Sequence, residues 1–344
     1  MATVKRFDIK REPSSTQLGV GQFIFTDKYS VFDWGPMPDT IPHKGASLCV
    51  MGAYNFELLA ANDIPTHYRG VSMQDDTEAT TIAAHDEPPT QMEIDLAQVP
   101  ELSYLRNQSY DYATYHERGE TNYVIPLEIV FRNRVPVGSS LRSRREPAYF
   151  DLPLDEWPQH PVDLPKPIVE FSTKFEEQDR YVTRDEAAEI AGIANLDRLE
   201  EIAKSVNEVL TAEAQKRGFT HEDGKIECLF HNGMIKVADV VGTFDENRFA
   251  YDGVEISKEA IRQYYKSADT EWVNAVSDAK RSATEADTAD WRTLCERHPT
   301  PLPDHVVEIA STFYAAGANQ YTGTQWFDVP HIESVIEDIE QIVQ

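Results

Sequence analysis

Two β-rich runs, Lys225 to Phe230 (KIECLF) and Met234 to Val241 (MIKVADVV), are separated only by His231-Asn232-Gly233. An Asn-Gly pair between such runs specifies a tight hairpin, because both residues accept the positive φ that its turn demands. The hairpin constrains chemistry as well as shape. Side chains alternate along a strand, so Asp223, Lys225 and Glu227 share one face, while Asp239 lies on the partner run. Two carboxylates converging from paired strands suit Mg²⁺, which takes a few carboxylates plus substrate phosphates. A solvated edge of alternating charge is the other reading of the same spacing.

Around the hairpin the chain mixes both periods. Gly21 to Thr26 (GQFIFT) reads as a strand, and Ala46 to Ala61 has apolar residues at helical spacing. Met73 to Pro89 is polar and ends in Pro88-Pro89, the mark of an exposed loop or lobe junction. Tyr123 to Phe131 (YVIPLEIVF) is a strand whose Pro126 predicts a bend or an edge position. Asp151 to Pro167 holds five prolines and reads as a connector before a strand at Ile168 to Ser172. Leu196 to Leu210 is the clearest amphipathic helix, capped by Asn195 and closed by Gly218. Helices are expected at Asp269 to Ala279, Thr288 to Arg297 and Asp304 to Ala316. The fold class is therefore α+β.

Charge narrows the partners. With 59 acidic and 32 basic residues, the 344-residue chain has a formal net charge of −27. Nucleic acid is disfavoured, because phosphate backbones are held by Lys and Arg. The acid is spread along the chain, which argues for a folded protein in a salt-rich cytoplasm rather than for an acidic tail. Cys49, Cys228 and Cys295 form no framework and fit a reducing compartment. No membrane span or signal-peptide pattern is present in the sequence. Association of identical copies is left open.

Against this background the cluster Arg132-Asn133-Arg134, Gly138-Ser139-Ser140, Arg142, Arg144 and Arg145 stands out. Guanidinium forks beside Gly and Ser amides can grip a phosphate; surface arginines paired with acids are the alternative. Neither GxGxxG nor GxxxxGK[ST] occurs, nor does HExxH.

Six pieces then occur in a telling order: DKYSVFD (Asp27 to Asp33), IPHKG (Ile41 to Gly45), IPTH (Ile64 to His67), FRN (Phe131 to Asn133) with Gly138-Ser139, Asp223-x-Lys225-x-Glu227, and Asp239 with Arg248. The set resembles the phosphoribosylaminoimidazole-succinocarboxamide synthases (SAICAR synthetases), of a halophilic archaeal type. The resemblance implies ATP-driven amide formation between L-aspartate and the carboxylate of carboxyaminoimidazole ribonucleotide, with ATP and Mg²⁺ as cofactors.

It also implies roles. Asp223 and Lys225 are the catalytic candidates; Asp33, Arg132, Ser139, Asp179, Arg248 and Arg262 face the ribonucleotide; Gly19, Gly21, Lys44 and Lys174 face ATP; Glu227 and Asp239 hold the metal. The implied architecture is a β-rich lobe over 1–88, an α+β lobe over 89–266 and a helical extension over 267–344, with ATP between the lobes. One departure is plain: Leu18 to Gln22 lacks the lysine pair usual over the ATP phosphates, leaving Lys10, metal or backbone amides to neutralise them. The rival readings are an ATP phosphotransferase of kinase-like layout and an inactive nucleotide-binding relative.

The charge yields the first prediction. At molar salt the Debye length shrinks to about 3 Å and mutual repulsion fades. The midpoint of thermal unfolding should therefore rise steadily from low to molar KCl; a flat or falling midpoint would contradict salt adaptation.

Overall fold

The computed structural model describes residues 5–74, 78–105, 110–176, 179–288 and 290–343. Its first sheet is built from β1 (Lys5–Arg11), β2 (Gly19–Phe25), β3 (Tyr68–Ser72) and β4 (Gln91–Leu96), in the antiparallel order β1-β2-β4-β3. Helix α1 (Lys44–Ala61) packs against it. The sheet runs past the boundary expected at residue 88, because β4 returns after Pro88-Pro89 to fill the place between β2 and β3.

A short α2 (Tyr112–Glu117) leads into the second sheet. Its strands are β5 (Asn122–Val135), β6 (Val162–Thr173), β7 (Tyr181–Val182), β8 (Phe219–His231), β9 (Met234–Ala238), β10 (Asn247–Tyr251) and β11 (Val254–Glu255). Between them lie α3 (Leu141–Arg144), α4 (Arg184–Ala191) and α5 (Leu196–Lys216). The order is β11-β10-β8-β5-β6-β7, with β9 added beside β8.

One edge of β8 is divided between two strands. Residues up to Gly224 pair with β10, and residues from Glu227 onward pair with β9. The chain from Asp239 to Glu246 leaves one and returns to the other, so Lys225 sits at the fork. Asp239 itself is one residue beyond β9, at φ 57°, rather than within the partner strand as the hairpin pattern predicts.

The two faces of this sheet differ in chemistry. Ile129, Ile226 and Phe171 are cross-strand partners on one face, which α5 covers with Leu199, Ile202, Val206 and Leu210. Asn195 caps α5 by accepting from the Arg198 amide. The other face carries Glu128, Arg132, Glu170, Asp223, Lys225 and Glu227. Pro126 sits where the β5–β8 register shifts, in an interior strand, so its bend is a bulge and not an edge.

Four helices close the chain: α6 (Lys258–Ala268), α7 (Thr270–Glu285), α8 (Asp304–Thr322) and α9 (Ile336–Val343). The expected boundary at 267 falls within α6. The helix expected over Thr288 to Arg297 is only a 3₁₀ turn, Trp291–Leu294. Pro299, Pro301 and Pro303 follow closely and stop any longer helix. No described helix is long and apolar enough to cross a membrane.

One buried ion pair pins the start of α1 to this unit. Lys44 Nζ meets Asp245 Oδ2 at 2.6 Å, and the Tyr314 hydroxyl of α8 donates to Asp245 Oδ1 at 2.7 Å. Burial would raise the Asp245 carboxyl, but Lys44, Lys258 and Tyr314 reverse that and bring it from 3.8 to about 2. Burial drags Lys44 downward, so the pair's net contribution is smaller than the Asp245 shift alone. A depressed carboxylate stabilises above its ordinary pKa and loses that as pH falls through the folded value. The stability gap between wild type and Asp245→Asn, about 2 kcal/mol at neutral pH, should close as pH drops from 4 toward 2 in denaturation curves.

Candidate active site

A cavity of about 310 Å³ opens on the polar face of the second sheet. Asp33, Arg132, Asp179, Asp223, Lys225, Arg248 and Arg262 line it, together with Glu128 and Glu246. Seven residues expected from the sequence, from six separate stretches of chain, are thus brought together.

Strand register explains the arrangement. Arg132 on β5 and Arg248 on β10 both lie opposite Asp223 on β8. Asp223 Oδ2 accepts from Arg132 Nη1 at 2.7 Å, and Arg248 forks onto both carboxylate oxygens at 2.8 and 2.5 Å. Burial would raise Asp223, but Arg248 and Arg132 hold it below the ordinary carboxylate range. Arg132 is further held by Glu170 (2.9 Å), the Tyr181 hydroxyl (2.8 Å) and Ser139 Oγ (3.4 Å). Asp223, expected to be catalytic, is structurally the counter-charge that orients two arginines. Gly224 is required between them: a Cβ would lie 1.9 Å from Asn247 Oδ1, which His221 also contacts at 2.9 Å.

Lys225 reaches Glu128 at 2.5 Å and Glu246 at 3.4 Å. Burial would lower it, yet Glu246, Glu128, Glu227 and Asp179 raise it well above its usual value. It is a fully charged donor at the cavity floor. Burial lifts Asp179, with Lys225 pulling the other way.

Glu227 and Asp239 form a second group with Lys174 and Lys5. Lys174 pairs with Glu227, and Lys5 Nζ lies 2.5 Å from Asp239 Oδ1. Burial raises Glu227, whereas Lys5 and Lys174 overcome burial at Asp239 and hold it well below its usual range. Among the described residues no three His, Cys, Asp or Glu side chains gather as a metal cage. The donor chemistry of two hard carboxylates still fits a Mg²⁺ held largely through phosphate oxygens.

Lys5 carries no sequence signal and was not expected. Lys10, the sequence-based substitute for the missing phosphate lysines, pairs instead with Glu93 at 2.9 Å. Lys5, which crosses the Phe23 ring at 4.5 Å, is the cation β1 delivers to the carboxylates.

Three other residues expected at ATP, Lys44, Gly19 and Gly21, make close contacts within the protein. Lys44 is fully buried with Asp245 and has a structural place under Tyr314, not an open one. Gly19 and Gly21 do not line the cavity. A Cβ on Gly19 would sit 2.3 Å from the Arg11 carbonyl oxygen, and one on Gly21 would meet Leu96 and Phe7. Their small size serves the close approach of strands. The short motifs also brace each other: Asp27 accepts from the Gly45 amide at 3.0 Å, and His67 Nε2 lies 3.0 Å from the Asp239 carbonyl. Burial pushes His67 down to about 4, so it is neutral at physiological pH.

The SAICAR synthetase family profile matches residues 15–279. An Archaeoglobus fulgidus protein provisionally named phosphoribosylaminoimidazole-succinocarboxamide synthase is 38% identical over 100% of both chains. The chain belongs to the SAICAR synthetase family. A Thermoplasma acidophilum protein named phosphoribosylaminoimidazole-succinocarboxamide synthase is 30% identical over 88% of this chain and 93% of its own. The family fold is equally evident. The Saccharomyces cerevisiae SAICAR synthase solved with SAICAR aligns at TM-score 0.60 and 19% identity over 95% of this chain and 94% of its own. A SAICAR synthetase solved with ADP aligns at TM-score 0.54 and 21% identity, over 88% of this chain and 99% of its own.

Truncating the central counter-charge tests the geometry. Asp223→Asn removes the carboxylate that Arg132 and Arg248 share, leaving Arg132 with Glu170 alone and Arg248 without its ion-pair partner, which should cost about 3–5 kcal/mol in chemical denaturation. A loss below about 1 kcal/mol would mean that Asp223 does not hold the arginines together.

Proposed function

We infer that this protein catalyses ATP-dependent ligation of L-aspartate to carboxyaminoimidazole ribonucleotide, giving SAICAR, ADP and phosphate in purine biosynthesis. The observation that carries the reading is the cavity in which Arg132, Arg248 and Arg262 face Asp33, Asp179 and Lys225 within a chain of this family. Such a site binds a small anionic substrate and offers both cations and hydrogen-bond acceptors to it.

The chemistry explains the need for ATP. A free carboxylate resists attack by an amine, so one of its oxygens first takes the γ-phosphoryl group and ADP departs. The aspartate nitrogen then attacks the resulting acyl carbon, and phosphate leaves with the former carboxylate oxygen.

Arg132 and Arg248 bind the ribonucleotide through its phosphate or carboxylate, with Ser139 beside Arg132 and Arg262 adding charge. Asp33 accepts from a donor group of the substrate, and Asp179 borders the same space. Lys225 stabilises charge developing on the transferring phosphoryl group. ATP lies toward Lys174, Glu227 and Asp239, in the cleft between an N-terminal β-rich lobe and the larger α+β lobe, with Lys5 adding cationic charge there. Glu227 and Asp239 would hold Mg²⁺, which supplies charge neutralisation to the ATP phosphates. The enzyme works in a salt-rich cytoplasm, where its buried free cysteines stay reduced.

The decisive assay is ADP release at molar KCl from purified protein given ATP, Mg²⁺ and the carboxylated ribonucleotide. Release with amide product should require L-aspartate; release indifferent to aspartate would identify a phosphotransferase. ATP-induced thermal stabilisation without product would identify an inactive relative. Arg132→Ala should raise the ribonucleotide KM at least about tenfold, with much less effect on ATP.

A further inference from the structure

The segment that presents Asp33 has an unfavourable backbone. Phe32 and Asp33 are consecutive non-glycine residues at φ 55° and 59°, a conformation that L-residues adopt singly and only when surroundings compensate. Asp33 is half exposed at the cavity, so its own burial does not hold it there.

The compensation comes from the far end of the chain. Arg292 Nη2 and Nε donate to the Asp33 carbonyl at 2.6 and 3.1 Å, and Nε also donates to the Trp34 carbonyl at 3.0 Å. Lys280 Nζ, on α7, lies 2.6 Å from Asp33 Oδ2. Around them the Trp272 ring meets Phe32 and Trp34 edge-on, each at 5.7 Å, and Trp34 also packs on Trp291 at 6.0 Å. Trp272 and Trp291 are fully buried. The other end of the loop is tied as well: Asp39 accepts from the Leu302 amide at 3.0 Å and from the Tyr29 hydroxyl at 2.8 Å.

We propose that Lys280 and Arg292, both in the C-terminal helical unit, are positioning residues for Asp33 that set how the ribonucleotide is received. Arg292 clamps the backbone in its left-handed turn. Lys280 fixes the rotamer of the carboxylate and keeps it ionised, so that it accepts a hydrogen bond from a donor group of the substrate. Both residues lie beyond residue 279, where the family match ends. The helical unit is then part of the substrate site and not merely a packing accessory. The proposal rests on the reading of this cavity as the ribonucleotide site.

The test compares wild type, Lys280→Met, Lys280→Arg, Asp33→Asn and the Asp33→Asn/Lys280→Met double variant, all full length, with kcat and each substrate's KM measured. Lys280→Met should raise the ribonucleotide KM about tenfold and leave the ATP KM within about twofold. Lys280→Arg should restore most of the loss. In the Asp33→Asn background, Lys280→Met should add less than about twofold, because the pair is already broken. Equal losses for both substrates, or additive effects in the double variant, would overturn the proposal. A second arm needs no activity. Amide hydrogen exchange over residues 27–39 should accelerate in Arg292→Met while β5 and β8 stay protected, and unchanged exchange there refutes the clamp. Wild type without aspartate-dependent turnover would sink the ligase reading alone, since the exchange arm still decides the clamp.

Discussion

A single buried carboxylate, Asp223, sits between two guanidinium groups, and the geometry of the cavity follows from it. Arg132 and Arg248 come from strands on opposite sides of β8, and without a shared anion their charges would repel across the strand. The charge cannot be replaced by a neutral acceptor of the same shape, because buried cations lose hydration that only an opposite charge restores. Glu170 and Tyr181 then complete the fork around Arg132, leaving it one orientation toward the cavity. In a chain with 59 acids and 32 bases, positive potential cannot come from composition. What the fold supplies is placement: carboxylates hold Arg132, Arg248 and Arg262 in the cavity lining.

The divided edge of β8 makes that placement possible. An ordinary hairpin partner would run the length of the strand and occupy its edge throughout. Here β9 ends opposite Glu227 and β10 begins opposite Gly224. The excursion between them carries Asp239, Asp245 and Glu246. Lys225 at the fork thus has carboxylates on two sides, from Glu128 on β5 and Glu246 on the returning loop. The opposite face of the same sheet is free to be apolar and to bury α5, so the cavity wall and the core are two sides of one set of strands.

What the sequence disclosed follows from which interactions are local. The Asn232-Gly233 turn, the Asn195 cap and the alternation of Asp223, Lys225 and Glu227 are short-range signals, and each marks a feature present in the fold. Of the cluster's arginines only Arg132 lines the cavity, while Arg134 and Arg144 pair with acids and Arg142 donates to backbone carbonyls, partners that spacing does not show. Lys5 carried no signal, since its partner Asp239 follows a strand of the other sheet and no spacing rule connects them. The pair that Lys44 forms is hidden for the same reason: its partners Asp245 and Tyr314 lie far along the chain. The helix expected over Thr288 to Arg297 shrinks to a 3₁₀ turn because Pro299, Pro301 and Pro303 follow it and hold the chain extended. Charge excess was legible as a global fact, but which acids guard the site was not.

The C-terminal helices hold the site at two points whose physics differ. Tyr314, Asp245 and Lys44 form a dry contact that salt hardly reaches. The Lys280–Asp33 pair is partly open to solvent, with side chains 22% and 53% exposed. At molar ionic strength an exposed pair loses most of its Coulomb attraction, so charge alone would hold Asp33 poorly in a concentrated electrolyte. Arg292 meets that difficulty with hydrogen bonds to backbone carbonyls, which depend on short-range contact more than on long-range charge. The tryptophan cluster around Phe32 and Trp34 meets it through apolar burial, which salting-out ions reinforce. A loop fastened chiefly by a guanidinium fork and aromatic packing keeps its shape where an ion pair by itself would loosen.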